Sequence, residues 1–442
     1  MALQTGRARR TAALLSLPAG VAALSVRGLA RRVAGDDPEL VRRELRARNA
    51  ARTREVLGGL KGGAQKAGQL LSTVEALFPA DPEDSWRRAL TGLQESGEPL
   101  SFAEVEPVLR AELGPGWRSD LPQLDENAAA AASLGQVHRG RWRDGREVAV
   151  KVQYPGVREA LRSDLRTLSA VTRTVGVLSR GLALPPLVAE VRDRLLEELD
   201  YEREARVQTA VRDGFAEDPS VVVPTVVAAT PRVLVSTWLD GVPLAQVALH
   251  GDQAERDRVG AAYQSFLVSG PARSGWLHTD PHPGNFRVTE EGRFGVLDFG
   301  SALALPEGMP PTFGRLLRVL LAGGDTQVLA GLHAEGMLRP GARLGLAEVG
   351  ELREVMAPFV EPARHASFRF SRAWLASQFP GGESAQAGDA RAPSFTLAMQ
   401  LTLPAEHLFT HRVWLGLVGV LCQLEAEVPL APVLRRWLPG FT

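Results

Sequence analysis

Two acidic turns joined by a short hairpin constrain this 442-residue chain more than any other feature. The first turn is His278-Thr279-Asp280-Pro281-His282-Pro283-Gly284-Asn285, and the second is Asp298-Phe299-Gly300. Between them, Phe286 to Thr289 and Arg293 to Leu297 read as strands, turned at Glu290-Glu291-Gly292. Such a hairpin returns Asn285 and Asp298 to one side. An amide oxygen and a carboxylate there can share Mg²⁺, a hard cation that takes oxygen ligands and phosphate. His278 and His282 have no third soft ligand nearby, so zinc is rejected.

Lysine supplies the second constraint. Of 51 basic residues only Lys61, Lys66 and Lys151 are lysines. A chain that writes Arg wherever a surface cation suffices keeps Lys where a compact ammonium is needed. Lys151 ends the strand-like run Val148-Ala149-Val150-Lys151, upstream of the acidic turns. Asp280 and Asn285 are spaced as in the kinase catalytic loop H-R-D-x-x-x-x-N, where the Asp orients or deprotonates an acceptor and the Asn holds a metal. A phosphate-binding lysine must itself be fixed by an acid, and the candidate is Glu204 in Glu198-Leu199-Asp200-Tyr201-Glu202-Arg203-Glu204. That spacing requires an inserted helical hairpin.

Two features of an ordinary protein kinase are absent from the sequence. Where G-x-G-x-x-G would cover the phosphates, the chain reads Ala128 to Ala132, Ser133, Leu134, Gly135. Alanine reaches positive φ only at a cost, so a stiffer loop is expected. After Gly300 a helical pattern resumes by Phe313, leaving little room for an activation loop that docks a peptide.

Acids and bases cancel at 51 each and aromatics make up 6%, which disfavours a nucleic-acid partner. A single cysteine, Cys422, fits a reducing compartment, and a cytoplasmic location is the default. Six arginines precede the first acid and flank an apolar stretch from Ala12 to Val26. At about fifteen residues, broken by Pro18 and Gly20, it is too short to span a bilayer, yet it suits peripheral contact with an anionic membrane or packing on the protein's own surface.

The pattern predicts an arm over residues 1–35, a helical extension over 36–120, a small β-rich lobe over 121–240 and a larger helical lobe over 241–442. A helix is expected from Phe102 to Leu113. Strands are expected over Gln136 to Trp142, Val148 to Val152, Val221 to Ala228 and Val233 to Trp238, with a long helical block from Val157 to Val211. Trp414 to Leu424 reads as a core helix, and Gln378 to Pro393 as a mobile loop.

Taken together, Lys66-Ala67-Gly68-Gln69, the alanine-rich segment, Val-Ala-Val-Lys151, Glu198-x-Asp200, Glu204, the His278–Asn285 loop and Asp298-Phe299-Gly300 resemble the UbiB/AarF-domain (ADCK) atypical kinases. The resemblance implies an α+β, bilobal protein-kinase-like fold: a small β-rich N-lobe with a helical insertion and a large helical C-lobe, plus an N-terminal extension carrying K-x-G-Q. It implies that Lys66 and Gln69 fold over the site, with Lys66 pairing Glu198, Lys151 pairing Glu204 and Asp200 holding the inserted elements. Asp280 is the implied catalytic aspartate and Asn285 with Asp298 the implied metal ligands. Ala130, Ala131, Ala132, Ser133, Lys151 and Trp238 are the implied nucleotide contacts. Thr237 departs from the acid usual at its position.

The expected activity is Mg²⁺-dependent use of ATP, released as ADP, by hydrolysis or small-molecule phosphorylation in support of quinone or isoprenoid-lipid synthesis. The partners expected are nucleotide, lipid or quinone-pathway proteins and a peripheral membrane surface. A nucleotide-binding pseudokinase scaffold, and a phosphotransferase of the aminoglycoside or choline kinase type, stay open as alternatives.

Overall fold

Among the described residues, strand alternation and glycine-marked turns build 123–153, and helices dominate from 201 onward. A computed structural model describes residues 99–132, 134–163, 165, 192–339, 341–378, 397, 400–402, 404 and 407–442. The N-terminal arm, the Lys66–Gln69 helix, Ser133, the middle of the 157–211 helical block and nearly all of the 378–393 loop lie outside the described residues. The chain divides into two compact units: 1–200 with 230–235, and 201–229 with 236–442.

In the first unit, α1 (Phe102–Leu113) starts at Ser101, which closes a capping box with Glu104. It is followed by β1 (Gln123–Leu124), β2 (Ala130–Ala132), β3 (Gly135–Arg141) and β4 (Glu147–Gln153). All pairings among these strands are antiparallel, with β3 between β4 on one side and β1 and β2 on the other. The β3–β4 ladder runs from Gly135↔Gln153 to Arg141↔Glu147, across a turn in which Gly145 takes φ 87°, a conformation open to glycine. The strand Val233–Thr237 lies beside β4, and Gln153 N–H donates to Arg232 O at 3.0 Å.

One face of this sheet is sealed. Val148, Val150 and Val152 are each 0% exposed. Opposite them, Gln136 and His138 are buried, and their polar atoms are satisfied locally. Gln136 exchanges two hydrogen bonds with the backbone of Leu100, at 2.8 and 3.0 Å, and its Nε2 lies 2.9 Å from His138 Nε2. His138 Nδ1 lies 2.8 Å from Asp125 O, so Nδ1 carries the proton and Nε2 accepts from the amide. This network ties the segment before α1 to the middle of the ladder.

The second unit opens with α2 (Tyr201–Gly214). The single strand expected over Val221 to Ala228 is instead two, β5 (Val221–Val222) and Val226–Ala229. Pro224 lies between them and has no N–H to extend a ladder. β5 joins a four-stranded sheet with β6 (Val242–Pro243) and the predicted hairpin. The core helix α3 (Gln253–Ser274) is capped by Asp252, whose side chain accepts from Glu255 N, and stops at Gly275 with φ 76°.

Next come β7 (Trp276–His278), β8 (Phe286–Val288), β9 (Phe294–Val296) and β10 (Ala302–Ala304). β8 pairs with β9 in the expected antiparallel register, Phe286↔Val296 to Val288↔Phe294, and β10 pairs with β7. Helices α4 (Pro311–Ala322), α5 (Asp325–Ala334), α6 (Leu346–Val360), α7 (Leu408–Leu424) and α8 (Leu430–Trp437) follow. The apolar run read at Trp414 to Leu424 forms the later turns of α7 and buries Leu417, Val418, Val420 and Leu421. Among the described residues no helix is long and apolar enough to cross a membrane.

Candidate functional site

The functional side chains fall into two groups, one in each unit. In the first unit, strand periodicity sets Lys151 on the face opposite Val148, Val150 and Val152. Register then places Ala130, Val137 and Lys151 in one row across β2, β3 and β4, since Val137 pairs with both. Ala132 lies on the same face two residues on, and Ala131 pairs with buried Gln136 on the other. The alanine segment, expected to be a stiff loop, is therefore a short strand of the sheet for Ala130 to Ala132. Three alanines whose backbone is paired with β3 need none of glycine's positive φ.

Glu198 and Asp200 belong to the turn that ends this unit's described helical residues. Its central carbonyl, Leu199 O, accepts from Gln153 Nε2 at 2.8 Å and from Arg158 at 2.6 Å. The end of β4 thus anchors the Glu198-Leu199-Asp200 turn, with Glu198 buried. Lys66 and Gln69, expected here from the extension, lie outside the described residues, as does Ser133.

The second unit carries the acidic turns. Asp280 and Asn285 sit in a loop whose 3₁₀ turn, Pro283–Asn285, is capped by His282 Nδ1, an acceptor for Gly284 N at 3.1 Å. Asn285 Nδ2 donates to Asp280 O and to Asp280 Oδ2, both at 3.0 Å. Both partners are acceptors, so the amide's NH₂ end is fixed toward Asp280 and its Oδ1 faces elsewhere. Leu297 N donates to Asn285 O at 3.0 Å, joining the loop to the turn at Asp298.

That second turn is held at three points. Gly300 N donates to Asp298 Oδ1 at 2.9 Å, and His278 Nε2 lies 2.5 Å from Asp298 O, which makes Nε2 the protonated nitrogen. Thr279 N donates to Ser301 O at 3.0 Å. Glu204, buried on α2, closes the group: a Cβ at Gly300 would lie 3.3 Å from both Glu204 Oε2 and Asp298 Oδ1. Glycine lets the two carboxylates approach, and their shared negative potential favours a cation. Arg203, next on α2, donates to Ala302 O at 2.7 Å and orients that helix on β10.

Beneath the loop is an aromatic base. Phe286 and Phe294 stack at 5.1 Å, Tyr263 meets Phe286 edge-on at 5.3 Å, and Phe266 lies 5.9 Å from His278. Tyr263 Oη donates to Pro281 O at 2.8 Å. Burial, then the Asp280 charge, hold its phenol well above the ordinary tyrosine range, so it stays a donor.

Two contacts were invisible in the sequence. Arg412 donates to Asp280 Oδ1 at 2.9 Å from α7, and a Cβ at Gly416, one turn later, would fall 2.2 Å from Pro281 Cγ. Neither residue lies near a recognisable motif. Trp238 Nε1 donates to Asp240 at 2.8 Å, and Thr237 exchanges 2.9 Å hydrogen bonds with Thr225, its Oγ1 accepting from Thr225 N.

The donor set fits the expected metal. Mg²⁺ usually keeps several waters and takes one or two protein oxygens beside substrate phosphates. Asn285 Oδ1 and the Asp298 carboxylate are such a pair. Among the described residues no three His, Cys, Asp or Glu side chains gather into a metal cluster.

A small β-rich unit carrying a strand lysine, and a larger helical unit carrying an HxDxxxxN loop and an Asp-Phe-Gly turn, define the protein-kinase-like class. Residues 92–330 match the ABC1 atypical kinase-like domain, and the chain belongs to that family. It is 33% identical over 284 residues to the mitochondrial atypical kinase COQ8B of Danio rerio, covering 64% of this chain and 45% of that protein. With the mitochondrial atypical kinase COQ8 of Saccharomyces cerevisiae it shares 29% over 307 residues, 68% of this chain and 60% of that one. The chain spans about half the length of the curated relatives it matches. The Rv3197–erythromycin complex structure from Mycobacterium tuberculosis superimposes with a TM-score of 0.67 at 35% identity, covering 92% of this chain and 99% of that one.

Proposed function

We propose that this protein is an ATP-dependent, Mg²⁺-requiring atypical kinase or ATPase that supports the synthesis or handling of a quinone or other isoprenoid lipid. The observation that carries this reading is the Asn285 amide. Its NH₂ end is committed to Asp280, which leaves the oxygen end, the one a hard cation takes, as its remaining function. Asp298, one hairpin away, supplies the carboxylate. Bound Mg²⁺ would neutralise charge on the nucleotide phosphates.

The roles of the other residues follow from the same reading. Lys151 contacts phosphate and pairs with Glu204. Ala130, Ala131, Ala132, Ser133 and Trp238 border the nucleotide. Lys66 and Gln69 cover the site, with Lys66 held by Glu198 and Asp200 steadying the turn. Asp280 orients the attacking oxygen. The protein works in the cytoplasm or peripherally at a membrane surface. The erythromycin complex of the Mycobacterium tuberculosis relative makes a bulky apolar small molecule a second ligand class to test.

The deciding experiment measures Mg²⁺-dependent ADP release by purified full-length protein, with and without anionic vesicles or erythromycin, beside Asp298→Asn and Asp280→Asn. Turnover lost by at least about 10²-fold in both variants supports the reading. Nucleotide binding with no turnover in the wild type replaces it with a scaffold.

A further inference from the structure

Phosphoryl transfer concentrates negative charge, and an enzyme handles it by positioning and by fixed cations. Between Asp280 and Asn285 the loop reads Pro281-His282-Pro283-Gly284, with no permanently charged cation. The cation beside Asp280 instead comes from α7, 132 residues later in sequence. Arg412 donates to Asp280 Oδ1 at 2.9 Å while Asn285 Nδ2 holds Oδ2 at 3.0 Å, so each carboxylate oxygen has its own donor. The two side chains are only 14% and 11% exposed, a setting in which water screens the charge pair weakly.

The surrounding packing is built for that contact. Gly416 is one helical turn beyond Arg412 on the same face of α7, and α7 approaches the loop so closely there that a methyl group would sit 2.2 Å from Pro281 Cγ. On its other side Pro281 is held through its carbonyl by Tyr263 Oη at 2.8 Å. Pro281, next to Asp280, is therefore clamped between α3 and α7.

We propose that Arg412 is a positioning residue for the reaction: α7 supplies the guanidinium that fixes the Asp280 carboxylate in one rotamer toward the attacking oxygen. The proposal rests on the ATP-using reading given above. In the step concerned, the attacking O–H oxygen bonds the γ-phosphorus and the bridging bond breaks with its electron pair on ADP. The acceptor's proton passes to the Asp280 carboxylate. The transition state is loose and needs little base strength. Geometry therefore outweighs basicity: misplacing a reacting group by about 1 Å costs on the order of 10²-fold in rate.

The test uses the full chain and follows ADP release and ATP affinity in Arg412→Ala and Arg412→Gln. The expected result is a kcat lower by about 10²-fold with the ATP dissociation constant within about twofold of wild type. Millimolar guanidinium should restore Arg412→Ala several-fold, while urea, its neutral analogue, should not. The glutamine variant keeps most of the volume and repeats the measurement if the alanine variant does not fold. Wild-type kcat in either folded variant overturns the proposal, as does a loss that guanidinium leaves untouched or that appears equally in ATP affinity. A wild type with no turnover overturns the enzymatic reading and the positioning role together. Indifferent Arg412 variants beside an active wild type overturn the positioning role alone.

Discussion

The β3–β4 ladder and the Asp280–Asp298 loop each carry candidate functional residues, but different forces hold them. Lys151 sits on a regular ladder, so its place follows from register counted along two adjacent strands. Asp280 sits in irregular backbone whose shape depends on Tyr263, Phe286, Phe294 and Arg412, drawn from four elements, α3, β8, β9 and α7. A ladder is set locally and tolerates change at its ends. A loop supported from below by distant aromatics is only as well placed as its base.

The contrast predicts where the protein breaks most easily. Phe286 is 0% exposed, stacks on Phe294 and immediately follows Asn285. Phe286→Ala should destabilise the second unit by about 3–5 kcal/mol, the usual cost of a buried aromatic. Nucleotide-dependent signals should fall with it. Urea titration followed by tryptophan fluorescence measures this, and a loss under about 1 kcal/mol would mean that the loop does not depend on its aromatic base.

The first unit should give a smaller effect at its own buried centre. Gln136→Ala leaves Leu100 N–H and C=O and the His138 ring without their amide partner, and each stranded buried group costs about 1–3 kcal/mol. Water entering the vacated space recovers part of that, so a net loss of about 2 kcal/mol is expected. Hydrogen exchange should localise it to α1 and β3. Unchanged protection there would separate the network from the ladder's stability.

The same division explains what could be read from the chain. The hairpin, the Asp-Phe-Gly turn and the strand carrying Lys151 were legible because period-two alternation and turn residues act over a few positions. The family was recognised by resemblance, from those motifs together with Lys66-Ala67-Gly68-Gln69, the alanine-rich segment and the Glu198–Glu204 run. The split of Val221 to Ala228 was also recoverable, since Pro224 interrupts it. Arg412 and Gly416 were not legible, because nothing in an apolar helix marks which turn of it will meet a loop 132 residues earlier. The strand at Ala130 to Ala132 was misread because alanine has weak strand preference and only its pairing with β3 decides its conformation.

A buried histidine, His138, and a half-buried one, His411, extend the comparison to pH. His138 in the first unit has hydrogen-bond partners for both ring nitrogens, Gln136 and Asp125 O. His411 in the second unit lies 6.2 Å from the Phe359 ring, and burial lowers its pKa from the ordinary 6.5 to about 4. A base whose pKa falls on folding binds its proton more readily in the unfolded chain. Its contribution to stability is complete above pH 6.5 and is lost as pH falls toward about 4. At pH 5.5 the loss is on the order of 1 kcal/mol. His411→Phe, which keeps an aromatic ring against Phe359, should remove that part of the acid sensitivity. The measurement is the change in urea midpoint between pH 7.5 and 5.5, wild type against variant. If both shift equally, the acid sensitivity of the second unit comes from its carboxylates. Asp218, which Ser220 and Arg273 hold below the usual carboxylate range against the upward push of burial, would then be the next group to replace.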